Sequence, residues 1–228
     1  MNKNPTHVGY ILDGNRRWAK AHGLPTYEGH LAGYNALYDV IEATSDAGVK
    51  FISLYTFSTQ NWNRTEEEIR GIMRLIRRLF KQDIKRLVKD NYKVVVLGSR
   101  DGLPSDIADY ISEAETISKD GARATLAICF NYGGQEEIVR AVQRIVGQKM
   151  SSDEVTLETV AANLDAPHIP PCDLIVRTSG EQRLSDFMLW RSAYSELLFL
   201  DKFWPEMTKE DVTAILDTYS QRKRRFGG

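Results

Sequence analysis

Two short stretches of this 228-residue chain carry the side chains best suited to chemistry. The first, at 7–20, reads HVGYILDGNRRWAK. An apolar run at 8–12 breaks into Asp13-Gly14-Asn15, and Arg16, Arg17 and Trp18 follow at once. The run has the pattern of a buried strand, and the triplet after it is made of turn formers. A strand that delivers a carboxylate, a glycine and two guanidinium groups into a loop is how α/β proteins build anion sites. The second stretch, RTSGEQRLS at 177–185, sets Arg177 and Arg183 six apart among hydroxyls, including Ser185, and a glycine. Arginine forks match phosphate oxygens, and hydroxyls add neutral donors, so this loop suits a diphosphate. With Arg17 and Arg64 the guanidinium groups reach four, enough for two diphosphates. A strand-turn-helix corner with a solvated basic patch, and a polar loop with a surface Arg–Glu pair, would use the same residues.

Asp13 and Glu196 are the carboxylates to assign to a metal. Magnesium takes one or two carboxylates, adds phosphate oxygens and keeps its waters. His30, after Gly29, reads as the start of a helix. It suits capping or the core, or else a hydrogen bond to phosphate or a proton transfer. Ser58 and Asn61 are no strong bases and fit a helix cap equally well. Trp62, Phe57 and Tyr55 read as core, with one edge able to line an apolar groove. His7, His22 and His168 carry no partner signal. The basic run Arg222-Lys223-Arg224-Arg225, followed by Phe226-Gly227-Gly228, suits a solvated helix end or a reach across a dimer interface.

The elements that must position these residues follow from periodicity. Apolar runs mark six strands, at 8–12, FISLYTFS, YKVVVLGS, ATLAICFNYGG, CDLIVRTSGE and SELLFLDKFWP. Helical patterns alternate with them at 31–48, 65–91, 104–120, 135–148, 156–164 and 208–226. The strands are continuously apolar, which predicts an α/β fold: a mainly parallel central sheet of about six strands flanked by helices. Parallel strands end on one edge, and ligands bind there. Asp13, Ser58, Asn61, Asn131 and Arg177 all follow or close strands, so residues scattered in sequence converge. No linker, repeat or low-complexity tract divides the chain, so 1–228 reads as one domain.

Composition narrows the class further. Hydrophobic residues at 42% and charged residues at 27% fall in the soluble globular range. A formal net charge of -1 provides no global field toward nucleic acid or an anionic surface. No apolar run approaches the ~18 residues of a transmembrane helix. The opening MNKNPTHVGY has no apolar signal core, which predicts no export. Cys129 and Cys172 lack metal or redox spacing and read as buried thiols of a reducing cytoplasm.

Several longer motifs resemble one family. DGNRRWAK, GHLAG, LYTFSTQNWNR with Glu68, NYGG, RTSGEQRLSDFMLW, YSELLF, FWP and RRFGG stand in the order found in the cis-prenyltransferases, and they span nearly the whole chain. The undecaprenyl diphosphate synthase type is the best-known bacterial member. The resemblance implies a homodimeric, Mg2+-dependent enzyme that condenses isopentenyl diphosphate onto an allylic diphosphate, commonly farnesyl diphosphate, with Z geometry. Asp13 would manage the metal and assist departure of the allylic diphosphate. Gly14, Asn15, Arg16, Arg17 and Arg64 would cradle that group, with Trp18 and Trp62 on the substrate side. Arg177, Arg183 and Ser185 would bind isopentenyl diphosphate, and Glu196 would join the Mg2+ coordination. Asn61, His30 and Ser58 match positions that support proton loss, though a substrate phosphate oxygen could serve instead. The helix at 66–91 would wall an apolar tunnel between sheet and helices, and the apolar product implies transient membrane contact. No DDxxD-like cluster occurs, so this is not the aspartate-rich helical kind of prenyl-transfer enzyme.

There are departures from the family pattern. Thr26 and Gln60 stand where arginine and glutamate are common, and Gln182 and Asp186 where histidine and asparagine are. Tyr34, Phe130 and Thr56 occupy positions that are often smaller, which predicts a product shorter than undecaprenyl diphosphate. Two other readings compete: a non-catalytic partner subunit, and a member making branched or cyclic products. Retained Asp13, Arg177, Arg183, Glu196 and RRFGG oppose the first. Intact Ser58, Asn61 and Arg64 count against the second.

Overall fold

Each apolar run becomes a strand: β1 His7–Ile11, β2 Phe51–Ser58, β3 Tyr92–Leu97, β4 Ala124–Tyr132, β5 Leu174–Arg177 and β6 Glu196–Phe199. The computed structural model describes residues 4–222 and joins the strands into one sheet, ordered β3-β4-β2-β1-β5-β6. Every pairing is parallel. Side chains alternate between its faces. Val8, Tyr10, Ile52 and Leu54 join the larger core on one side, and Ile11, Ala127, Cys129 and Ile175 a smaller one on the other. Burial on both faces explains why the strands lack an alternating pattern. Cys129 and Cys172 are free, buried thiols.

Helices α1 Asn15–Ala21, α2 Thr26–Asp46, α3 Glu66–Arg78, α4 Ile84–Lys89, α5 Ser105–Ile117, α6 Gly134–Gly147, α7 Leu157–Ala162 and α8 Lys209–Gln221 cover the sheet. Two of them differ from expectation. Helix α2 begins five residues before the expected 31, because Pro25 starts it and Gly29 does not break it. That glycine lies where α1 crosses α2, and a Cβ there would stand 2.0 Å from the Asn15 carbonyl oxygen. His30 is therefore inside α2 and not at its start. The long helix at 66–91 is interrupted: a π turn at Leu79–Asp83 separates α3 from α4. The closing basic run lies outside the described residues beyond Arg222.

His7 turns out to have partners. Its ring is fully buried, with Nε2 2.8 Å from the Ser53 hydroxyl and Nδ1 2.9 Å from the Pro170 carbonyl. Burial, only partly opposed by the Pro170 contact, pushes its pKa down to about 4. The unfolded chain takes up a proton below about 6.5, while the folded chain resists until about 4. Stability from this group is thus complete above pH 6.5 and is lost as pH falls from 6.5 toward 4, by roughly 3 kcal/mol. Denaturant titrations at pH 7.5 and 5 are expected to show a steeper loss in the native chain than in His7→Gln. Parallel losses in the two proteins would refute this assignment.

Candidate active site

The site forms where β1 and β5 end side by side, with Ile11 in register with Arg177. Asp13 follows β1 and receives Arg177 Nη2 at 2.8 Å on Oδ2. Its Oδ1 accepts the Gly14 N–H at 2.7 Å and Arg17 Nη2 at 3.2 Å. Burial opposes ionisation of Asp13, but the Arg177 hydrogen bond and charge, with help from Arg17 and the Gly14 N–H, hold its pKa below the usual carboxylate value. Gly14 is required by its backbone: φ is +107°, and a Cβ would meet Phe203 Cδ1 at 2.8 Å.

Arg177 is 5% exposed, and its Nη1 donates to the Arg183 carbonyl at 2.6 Å and to Ser185 Oγ at 2.8 Å. Its Nε is buried and has no partner. Arg17 also donates to the Ser179 carbonyl at 3.1 Å and to Glu181 at 2.9 Å. A second cluster surrounds Glu68, which is 7% exposed and lies 2.9 Å from Arg64, 3.1 Å from His30 and 3.9 Å from Arg16. Burial lowers the pKa of His30 despite the opposing hydrogen bond to Glu68, so the imidazole is neutral at pH 7.

Ser58 caps the 3₁₀ turn Thr59–Asn63, and Asn61, the third residue of that turn, completes a reciprocal capping box with it. The Asn61 carboxamide oxygen accepts the Ser58 N–H at 3.0 Å. Asn131 is spent elsewhere, on Trp62 and on the Ser99 and Asp101 carbonyls.

These groups open on one cavity of about 970 Å³. Asp13 and the arginines sit on part of its wall, and Leu37, Ile72, Leu75, Ile76 and Leu79 from α2, α3 and the π turn supply an apolar part. Of the residues expected from the sequence to act in catalysis or to bind substrate or metal, all line this cavity except Trp18, Trp62, Arg183 and Glu196. Trp18 stacks on His22 at 4.3 Å within the α1 corner. Trp62, read as core, is 36% exposed and meets Phe57 edge-on at 5.0 Å. Arg183 is exposed and paired with Glu181.

Glu196 stands apart from these residues within the protomer. It opens β6 in register with Leu174, so it lies three residues, or about 10 Å, toward the opposite sheet edge from Arg177. Its carboxylate pairs with Arg222 at 2.7 Å. Within the protomer it does not join Asp13 as a second ligand. Among the bulky residues, Tyr34 and Thr56 line the cavity, whereas Phe130 is buried behind it against Phe57. Glu68 and Glu181 were given no role from the sequence. The i,i+4 spacing of Arg64 and Glu68 was the available signal for the former.

A prenyltransferase family model, undecaprenyl diphosphate synthase, matches residues 11–227. Isoprenyl transferase 2 of Bradyrhizobium diazoefficiens is 44% identical over 98% of this chain and 90% of that protein. The isoprenyl transferase of Thermotoga maritima is 43% identical over 98% and 97%. Among solved structures, lavandulyl diphosphate synthase from Lavandula x intermedia, in complex with dimethylallyl diphosphate, superposes with a TM-score of 0.95. It is 31% identical and covers the whole of both chains.

Proposed function

This chain belongs to the undecaprenyl diphosphate synthase family of prenyltransferases, and we propose that it condenses isopentenyl diphosphate with an allylic diphosphate, farnesyl diphosphate foremost, to a Z-prenyl diphosphate. The observation that carries this reading is the cavity itself. It sets guanidinium groups and Asp13 beside an apolar wall, which suits a diphosphate with a hydrocarbon tail.

In the reaction the allylic C1–O bond breaks and diphosphate leaves with the electron pair. The π electrons of isopentenyl diphosphate form the new C–C bond at C1, and a proton leaves C2 as the Z double bond forms. Arg17 and Arg64 offset the charge of the leaving group, and Arg177 and Ser185 orient the second diphosphate, with Arg183 at the rim. Gly14, Asn15 and Arg16 complete the first cradle. Asn61 carries no basic atom and its oxygen is committed to the cap, and His30 is held by Glu68. The proton is therefore assigned to an oxygen of the departing diphosphate, with Ser58, Asn61 and His30 as neutral neighbours.

The residues present fit Mg2+ held mainly by substrate. Among the described residues no group of three or more His, Cys, Asp or Glu side chains could hold a metal ion, and Asp13 is an ionised oxygen donor beside the phosphate-binding arginines. Asp13 would hold Mg2+ together with diphosphate oxygens, and the ion would supply charge neutralisation to the leaving group. Homodimerisation, a cytoplasmic location and transient bilayer contact through the product complete the proposal. Among the described residues no helix is long and apolar enough to cross a membrane.

Incubating the protein with labelled isopentenyl diphosphate, Mg2+ and C10, C15 or C20 allylic diphosphates tests the reading. Label is expected in a ladder ending at one size. No incorporation with any primer would overturn it in favour of a non-catalytic partner subunit.

A further inference from the structure

Helix α2 carries Tyr34 one turn beyond His30, and the tyrosine lines the apolar part of the cavity. Its hydroxyl does not face solvent freely: it donates to Asp83, the last residue of the π turn. Arg78 stands 3.4 Å from the same carboxylate and lies over the Tyr34 ring at 5.3 Å from its centroid. Ring, carboxylate and guanidinium thus span the seam between α2 and the helix facing it. The π turn matters to this placement, because one extra residue in a turn rotates every following side chain by about 100° relative to a plain α-helix. Burial, reinforced by Asp83, keeps the phenol protonated, so it remains a donor.

The arrangement is repeated one turn on. Tyr38 donates to Asp90, and Arg86 lies 3.2 Å from the centre of its ring and 3.9 Å from Asp90. Tyr38, however, is not among the residues that line the cavity. The same triad therefore occurs once in the cavity lining and once outside it, which separates a role in the cavity from a role in joining the helices.

We propose that the Tyr34–Asp83–Arg78 latch sets the length of prenyl chain this site accepts, with Tyr34 as the specificity-determining residue and Asp83 as the residue that positions it. An unlatched phenol can swing between rotamers and let a chain pass. A ring pinned across the seam cannot, and close-packed walls do not yield to added methylenes. The inference rests on the proposed prenyl diphosphate chemistry, and its test separates the two.

Product ladders from labelled isopentenyl diphosphate and farnesyl diphosphate are compared for the native chain, Tyr34→Phe, Asp83→Ala and Tyr38→Phe. In parallel, calorimetry measures binding of saturated alkyl diphosphates from C10 to C30. Tyr34→Phe keeps the ring and loses only the latch. It and Asp83→Ala are expected to lengthen both the main product and the longest ligand bound by about one or two five-carbon units. Combining them should add nothing further, since both break one interaction. Tyr38→Phe should leave both limits unchanged. A shifted binding limit without condensation would uphold the latch and overturn the enzyme reading. Condensation with identical limits in all four proteins would overturn the latch alone, as would an equal shift in Tyr38→Phe.

Discussion

Asp13→Ala is expected to lower the rate of the first condensation by at least about 10³-fold at saturating substrates, the scale seen when a preorganised charge contact is removed. Three losses coincide at this position. The ionised oxygens that would meet the metal disappear, the Gly14 N–H and Arg17 lose their acceptor, and the 5% exposed Arg177 loses its counter-ion. Asp13→Asn separates them, because it retains shape and an acceptor oxygen but no charge. If charge is the main contribution, Asn is nearly as inactive as Ala. Single-turnover kinetics with labelled isopentenyl diphosphate would read both, with thermal melts to confirm folding. A rate within about tenfold of the native chain for Asp13→Ala would remove Asp13 from the reaction.

The second large effect concerns stability. Arg191 and Glu137 form an ion pair at 2.6 Å, with side chains 3% and 0% exposed. Tyr132 donates to the same carboxylate at 2.6 Å, and Arg191 also donates to the Asp165, Ala166 and Ile169 carbonyls. Truncating one partner leaves an uncompensated charge in the interior. Glu137→Ala is therefore expected to cost about 3–5 kcal/mol in urea denaturation. The double change Glu137→Leu with Arg191→Met should recover most of that loss, because it removes both charges together. A double variant as unstable as the single one would show that the hydrogen bonds, not the unpaired charge, hold this region.

The fold was legible because buried parallel strands have a plain signature. Runs such as ATLAICFNY offer no polar face and so admit only a sheet covered on both sides. The convergence of Asp13 and Arg177 followed from the same rule, since both close strands that run the same way. Glu196 was never placed by that rule, and the same rule sets it apart: a carboxylate that opens its apolar run enters at the amino edge of a parallel sheet. Direction alone excluded it from the Asp13 site within one protomer. Other features had no local signal. The contact of Glu68 with His30 joins two helices, and the start of α2 was obscured because Gly29 serves a helix crossing. The π turn at Leu79–Asp83 left no mark, because LFKQD holds neither glycine nor proline to break a helical pattern.

The strand order has a consequence for how the molecule comes into being. β1, made before the other five strands of the sheet, lies between β2 and β5, and β5 is not complete until residue 177. On a ribosome emitting roughly 5–20 residues per second, one side of β1 stays bare for on the order of ten seconds after β2 has been made. The Asp13 carbonyl waits longer still, for the backbone N–H of Trp204. Nascent chains that stop short of that tryptophan hold the aspartate strand but not the clasp behind it. An open parallel edge is also a template for pairing with another chain. Expression of this protein should thus respond to chaperones that shield such edges during translation more than to the stability of the finished fold.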